Sequence, residues 1–168
     1  MMDDHTFPTP PRGIKAIPWR LPIYFYRWGI GWLLGSRFLL LKHIGRTTGN
    51  LRFAVLEIIS AQPETETYFV VSGFGTRSDW YRNILQNSQV EIQIGRKRIP
   101  SKARQVDSSK AGDILVAYAQ KHPRSLKSLS KLMGYEIEFS PDGIREFGRK
   151  IPVIQFSSQV TKEFSSPN

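Results

Sequence analysis

The stretch Val90 to Val106 restricts the fold more than any other part of the sequence. Val90 to Ile94 (VEIQI) alternates apolar and polar residues, the pattern of a half-exposed strand. Gly95-Arg96-Lys97 turns the chain back, and Arg98 to Val106 is the hairpin partner. Other strand-like runs are Phe38 to His43, Phe53 to Ser60, Thr67 to Ser72 and Pro152 to Phe156, with a loop at Gln62 to Glu66 around Pro63. Helical patterns fall at Trp80 to Gln86, Ser108 to about Lys121, Ser125 to Leu132 and Asp142 to Lys150. Ser78 or Asp79 would cap the first of these, and Gly134 breaks the third. Strands and helices do not alternate as βαβ units, so a Rossmann sheet is disfavoured. About six short, mostly antiparallel strands bury one core most economically by closing into a small barrel, which also removes the exposed edges. The expected class is α+β, mainly β.

The 168 residues suit one domain, placed at residues 19–168, preceded by a proline-rich flexible arm at 1–18. That arm has no apolar core of the kind a secretory signal carries. Leu21 to Leu34 reads as an amphipathic helix opening at Pro22. Leu21, Tyr24, Phe25, Trp28 and Trp32 share one broad face, and Arg20 and Arg27 lie together on another. The apolar run is too short and too often interrupted by arginine to span a bilayer. It fits either packing on the domain's own core or lying on an anionic membrane surface. There is no cysteine, which rules out disulfides, thiolate metal sites and a cysteine nucleophile. The three histidines, His5, His43 and His122, form no metal-binding pair, so no metal is expected, and His43 and His122 read as structural.

Charge is distributed unevenly. No acidic residue occurs from His5 to Leu56, while Arg12, Lys15, Arg20, Arg27, Arg37, Lys42, Arg46 and Arg52 all lie there. Such a field attracts an anionic partner. Within it, Gly45 to Arg52 (GRTTGNLR) combines glycines, hydroxyls and guanidinium groups, the makings of an oxyanion cradle. A second stretch, Ser72 to Asn83 (SGFGTRSDWYRN), is a glycine-rich loop that runs into the positive end of a helix. Gly73 and Gly75 allow close backbone approach, Phe74, Trp80 and Tyr81 supply aromatic surface, and Trp80 alone equally suits core packing.

GRTTGNLR, VVSGFGTRSDWYRNI and VEIQIGRKR, in this order, resemble the nitroreductase-family deazaflavin (F420)-dependent oxidoreductases, over roughly Phe38 to Val106. The resemblance implies a split β-barrel that binds coenzyme F420 and transfers a hydride from its reduced form to an electron-poor acceptor such as a nitro compound, quinone or enone. It implies that Arg46, Thr48 and Arg52 grip the phosphate and oligoglutamate tail. Ser72, Gly73, Phe74 and Gly75 would lie against the deazaflavin ring, and Trp80, Tyr81 and Asn83 match the W-Y-x-N signature. Thr47 departs from the pattern, since the family usually has a cation there. Tyr135 is the candidate catalytic residue on the substrate side, as a proton donor or aromatic wall.

Two other readings stay open: the same barrel using FMN, and a non-catalytic carrier of a cofactor or lipid-like ligand. The expected partner is a small-molecule acceptor. Nucleic acid is not expected, because no helix-turn-helix, RNP or zinc pattern accompanies the charge. A cytoplasmic location, association with a membrane surface and a homodimer, as in related barrels, complete the expectations.

Overall fold

The computed structural model describes residues 7–10 and 35–159. The helix expected at Leu21 to Leu34, with Trp28 and Trp32, and most of the arm lie outside the described residues.

Six strands form one closed antiparallel barrel: β1 (Phe38–Ile44), β2 (Leu51–Gln62), β3 (Thr67–Val71), β4 (Gln89–Ile94), β5 (Lys97–Gln105) and β6 (Val153–Ser158), arranged β1-β2-β3-β6-β5-β4. Closure is made by β1 and β4, with Leu41 opposite Ile92 and Lys42 opposite Glu91. β2 is longer than the sequence pattern suggests. Its ladder with β1 runs out to Leu51 opposite Ile44, and its ladder with β3 runs out to Gln62 opposite Thr67. A register shift between Ile58 and Ser60 lets this long strand serve both neighbours.

The alternation read in Val90 to Ile94 is seen in β4, where Val90 and Ile92 are buried, and recurs in its hairpin partner β5. Ile99, Ser101 and Ala103 point inward and are buried, whereas Arg98, Pro100, Lys102 and Arg104 point outward. Leu39, Leu41, Ile92, Ile99, Ile154 and Phe156 fill the barrel. Burial of each such side chain contributes about 1.5–3 kcal/mol.

Four helices are described: α1 (Asp79–Gln86), α2 (Ser108–Lys121), α3 (Pro123–Leu132) and α4 (Pro141–Lys150). α1 connects β3 to β4, and the other three connect β5 to β6. A second core lies between these three helices and the outer wall of the barrel, built on Phe69, Leu115, Leu126, Met133, Phe147 and Val153. α2 begins at Ser108 as expected, but its cap is the residue before the serines: the Asp107 carboxylate accepts from the Lys110 N–H at 2.9 Å. α2 and α4 cross at two glycines. A Cβ added to Gly148 would lie 2.7 Å from the Gly112 Cα, so neither helix could approach the other with a larger residue there. Glu57 ties β2 to α2, accepting from the Tyr118 hydroxyl at 2.6 Å and from Arg37 at 2.8 Å.

Candidate functional site

The turn between β1 and β2 is tight because its own backbone closes it. The Gly45 N–H donates to the Asn50 carbonyl at 2.8 Å, and the Gly49 N–H donates back to the Gly45 carbonyl at 2.8 Å. Gly49 has φ +67°, a conformation that favours glycine. Arg46, Thr47, Thr48 and Arg52 are all exposed on this turn, and the Thr48 hydroxyl accepts from the Asn50 N–H.

Asn83 of α1 rivets the turn to the helix. Its Oδ1 accepts from the Arg46 backbone N–H at 3.0 Å and from the Arg46 guanidinium at 3.0 Å. Those two donors orient the amide, so its Nδ2 faces the buried His43 of β1 and donates to Nδ1 at 3.2 Å. His43 is therefore neutral, with its proton on Nε2. Burial is the main cause that holds its pKa down to about 4, and the nearby Arg52 guanidinium lowers it further. The Arg46 guanidinium reaches on to Asp79 Oδ1 at 3.0 Å, in the first turn of α1. None of these contacts follows from local sequence pattern, and His43 reads as inert until Asn83 is seen beside it.

On its other side α1 meets the glycine loop. Ser72 is fully buried, and its hydroxyl lies 2.7 Å from both the Gly75 carbonyl and the Ser78 Oγ. Ser78 thus spends its side chain on the loop and makes no cap bond to α1. The first N–H groups of α1 are left without a side-chain cap, at the positive end of the helix. Arg82 Nε donates to the Thr76 carbonyl at 2.8 Å. Gly73 faces Leu132 and Leu129 of α3, and Gly75, at φ +55°, lies beneath the Phe7 ring.

The two motifs singled out from the sequence therefore meet at the amino end of α1. Arg46, Thr48 and Arg52 stand on its exposed rim, and Phe74 and Trp80 are half-buried beside it. Ser72, Gly75, Tyr81 and Asn83 lie underneath and give the rim its shape. The buried Tyr81 donates its hydroxyl to Gln105 at 2.8 Å, and burial raises its pKa. Trp80 packs edge-on to Tyr81, with ring centroids 6.3 Å apart. Tyr135, half-buried, sits between Phe7 at 6.3 Å and Phe147 at 5.2 Å, and Phe7 in turn packs on Gly75 of the loop. Beyond the turn, the outer barrel wall carries a groove of about 250 Å³ lined by Leu40, Lys42, Leu51, Phe53, Glu91, Gln93 and Arg98.

This donor set fits a multiply charged anion with a planar head. It comprises the exposed guanidinium groups and hydroxyls of the β1–β2 turn, helix N–H groups that the Ser78 side chain does not cap, and the half-buried rings of Phe74 and Trp80, with the Asp79 carboxylate held by Arg46. No cluster able to hold a metal ion occurs among the described residues, and no helix among them is long and apolar enough to cross a membrane.

Among solved structures, the chain is similar to an F420-H2 dependent reductase at 18% identity, over 72% of this chain and 94% of that one, with a TM-score of 0.51. A domain-swapped dimer is similar at 17% identity, over 81% and 99% of the two chains, with a TM-score of 0.52. A heme storage protein from Vibrio cholerae is similar at 16% identity, over 83% and 90%, with a TM-score of 0.51. At these identities the likeness establishes the shared split-barrel fold. No curated protein matches the sequence. The family of F420H(2)-dependent quinone reductases matches residues 27–125, a span that contains the barrel closure, the β1–β2 turn, the glycine loop and all of α1. The chain belongs to the F420H(2)-dependent quinone reductase family, and is an F420-dependent reductase.

Proposed function

We propose that the reducible acceptor is a quinone-type small molecule and that the cationic rim at the amino end of α1 holds the F420 tail. The observation that carries this reading is the reach of Arg46, which bridges the β1–β2 turn to Asp79 and Asn83. It puts both motifs, with their cations, on one surface. When bound, reduced F420 supplies a hydride to an electron-poor acceptor, and the organic chemistry is the cofactor's own. The protein's part is to bind and orient. Arg46, Arg52 and Thr48 grip the phosphate and carboxylates, each charge-assisted hydrogen bond contributing about 1.5–3 kcal/mol. Phe74 and Trp80 flank the ring, while Ser72, Gly73, Gly75, Tyr81 and Asn83 hold the loop and helix that carry those contacts. Tyr135 Oη is the proposed proton donor to the reduced acceptor, close to the loop through the shared Phe7 packing.

Side-by-side titration with F420 and FMN, followed by turnover of reduced F420 with a soluble quinone, tests this reading. Tight F420 binding with quinone-dependent loss of reduced cofactor is expected. Preference for FMN, or binding without turnover, would refute it.

Two finer features belong to the same reading. Leu51 and Phe53 are 46% and 38% exposed beside the outer groove, which supports a homodimer through that wall. Sedimentation should show a dimer that Phe53→Glu disrupts, and a wild-type monomer would exclude it. The arginine-flanked aromatic face that the sequence of Leu21 to Leu34 would form as a helix supports a cytoplasmic location at an anionic membrane surface. Co-sedimentation with anionic vesicles should fall when Trp28 and Trp32 are made polar.

A further inference from the structure

Phe7 is only 2% exposed, although it stands in the proline-rich arm that precedes the domain. Its ring covers Gly75, the second glycine of the loop, so closely that a methyl group at that position would fall within the ring. The same ring tilts at 56° against Tyr135, with centroids 6.3 Å apart. Two residues on, the Thr9 hydroxyl accepts from Arg77 Nη1 at 3.2 Å, so the same short segment holds the loop at a second point. From beneath, the loop is held by the Ser72 hydroxyl and by its own turn, in which Gly75 N–H donates to the Ser72 carbonyl at 2.8 Å.

The glycine at position 75 thus has two causes. Its φ of +55° disfavours a side chain, and the space a side chain would need is taken by Phe7. Residues 68 positions apart have become sterically complementary. A loop held by both sets of contacts reaches binding with its backbone already ordered, and a loop that must order itself on binding loses affinity by that amount.

We propose that residues 7–10 brace the glycine loop, with Phe7 as a positioning residue that presets the loop for F420. This rests on the reading that the loop borders the cofactor ring. Phe7 touches no reacting atom; it acts through Gly75.

The test compares the wild type with Phe7→Ala, Phe7→Leu, Gly75→Ala and the Phe7→Ala/Gly75→Ala pair in the full chain. Two quantities are measured: amide hydrogen exchange without cofactor, and the dissociation constant for F420. In Phe7→Ala the amides of Gly75, Arg77 and Ser78 should exchange at least tenfold faster, with those of β1 and β4 unchanged. F420 should bind about tenfold more weakly, the equivalent of ~1.4 kcal/mol of ordering moved onto the binding step. KM for reduced F420 should rise while kcat holds. Phe7→Leu, which refills most of the space, should restore both readouts in large part. Gly75→Ala should be far less harmful in the Phe7→Ala background than alone, since the ring it collides with is gone. Uniform acceleration of exchange across the barrel, or unchanged loop exchange and affinity in Phe7→Ala, would overturn the brace. Wild-type protein that fails to bind F420 would instead refute the cofactor reading of the loop. The exchange data would then still decide whether Phe7 orders it.

Discussion

Acid should weaken this fold through a buried histidine. His43 is buried and neutral, with its pKa brought from an ordinary 6.5 to about 4. The unfolded chain therefore binds a proton that the native state refuses between those two values. Stability rises with pH wherever the unfolded state binds more protons, so it should fall as pH drops below about 6.5, and the loss should be complete below about 4. At ~1.4 kcal/mol per pH unit, the interval costs about 3 kcal/mol. The structure also says where the damage starts. A protonated Nδ1 would confront the Asn83 Nδ2 donor 3.2 Å away. Rotating the Asn83 amide to accept would give up both bonds from Arg46. Urea unfolding of the wild type and His43→Asn from pH 7.5 to 4.5 isolates the effect, since asparagine can accept a hydrogen bond but does not titrate. The variant should start less stable, having lost ring volume, but should lose less stability on acidification. The two curves should converge by most of that ~3 kcal/mol. Parallel curves would refute the assignment of His43 as the acid-sensitive group.

Three further outcomes follow from the same geometry. Arg46→Ala should weaken F420 binding by roughly ten- to a hundredfold, as expected for loss of a charge-assisted contact, with the dependence on salt reduced; fluorescence titration at two ionic strengths checks it. Thr47→Lys, which supplies a cation at an exposed position on the same turn, should tighten binding in that titration, most visibly at low salt. Gly148→Ala should cost about 1–3 kcal/mol in urea unfolding, because the α2–α4 crossing has no room for a methyl group, while F420 affinity stays at the wild-type value.

The parts of this molecule that could be read in advance are those set by near neighbours in the chain. The V-E-I-Q-I alternation foretells which side of β4 faces the core, because one face of that strand is buried and the other is not. GRTTGNLR foretells a turn bearing cations, since glycine conformations and exposed arginines are local properties. The joins between distant segments were not readable. Asn83 lies 37 residues from Arg46, and nothing in W-Y-x-N says that its amide will orient on an arginine backbone and a histidine ring. Phe7 sits among prolines, where composition predicts a loose arm, and only the fold brings it over Gly75 and against Tyr135. Gly112 and Gly148 look like helix weaknesses until two backbones are found to need the space.

The place of β6 has a consequence for how the chain reaches this state. β6 lies between β3 and β5, and 47 residues of helix and loop separate it from β5. Until it arrives, β3 and β5 each present an unpaired edge, and the barrel cannot shut. A ribosome must therefore release Val153–Ser158 before the first strands are sealed. During that interval the half-built sheet offers two edges to any neighbouring chain. Closure that depends on contacts so far apart in sequence is expected to be slow. The longest exposure to misassembly then falls just before β6 arrives, when nearly all of the barrel's core residues are already present.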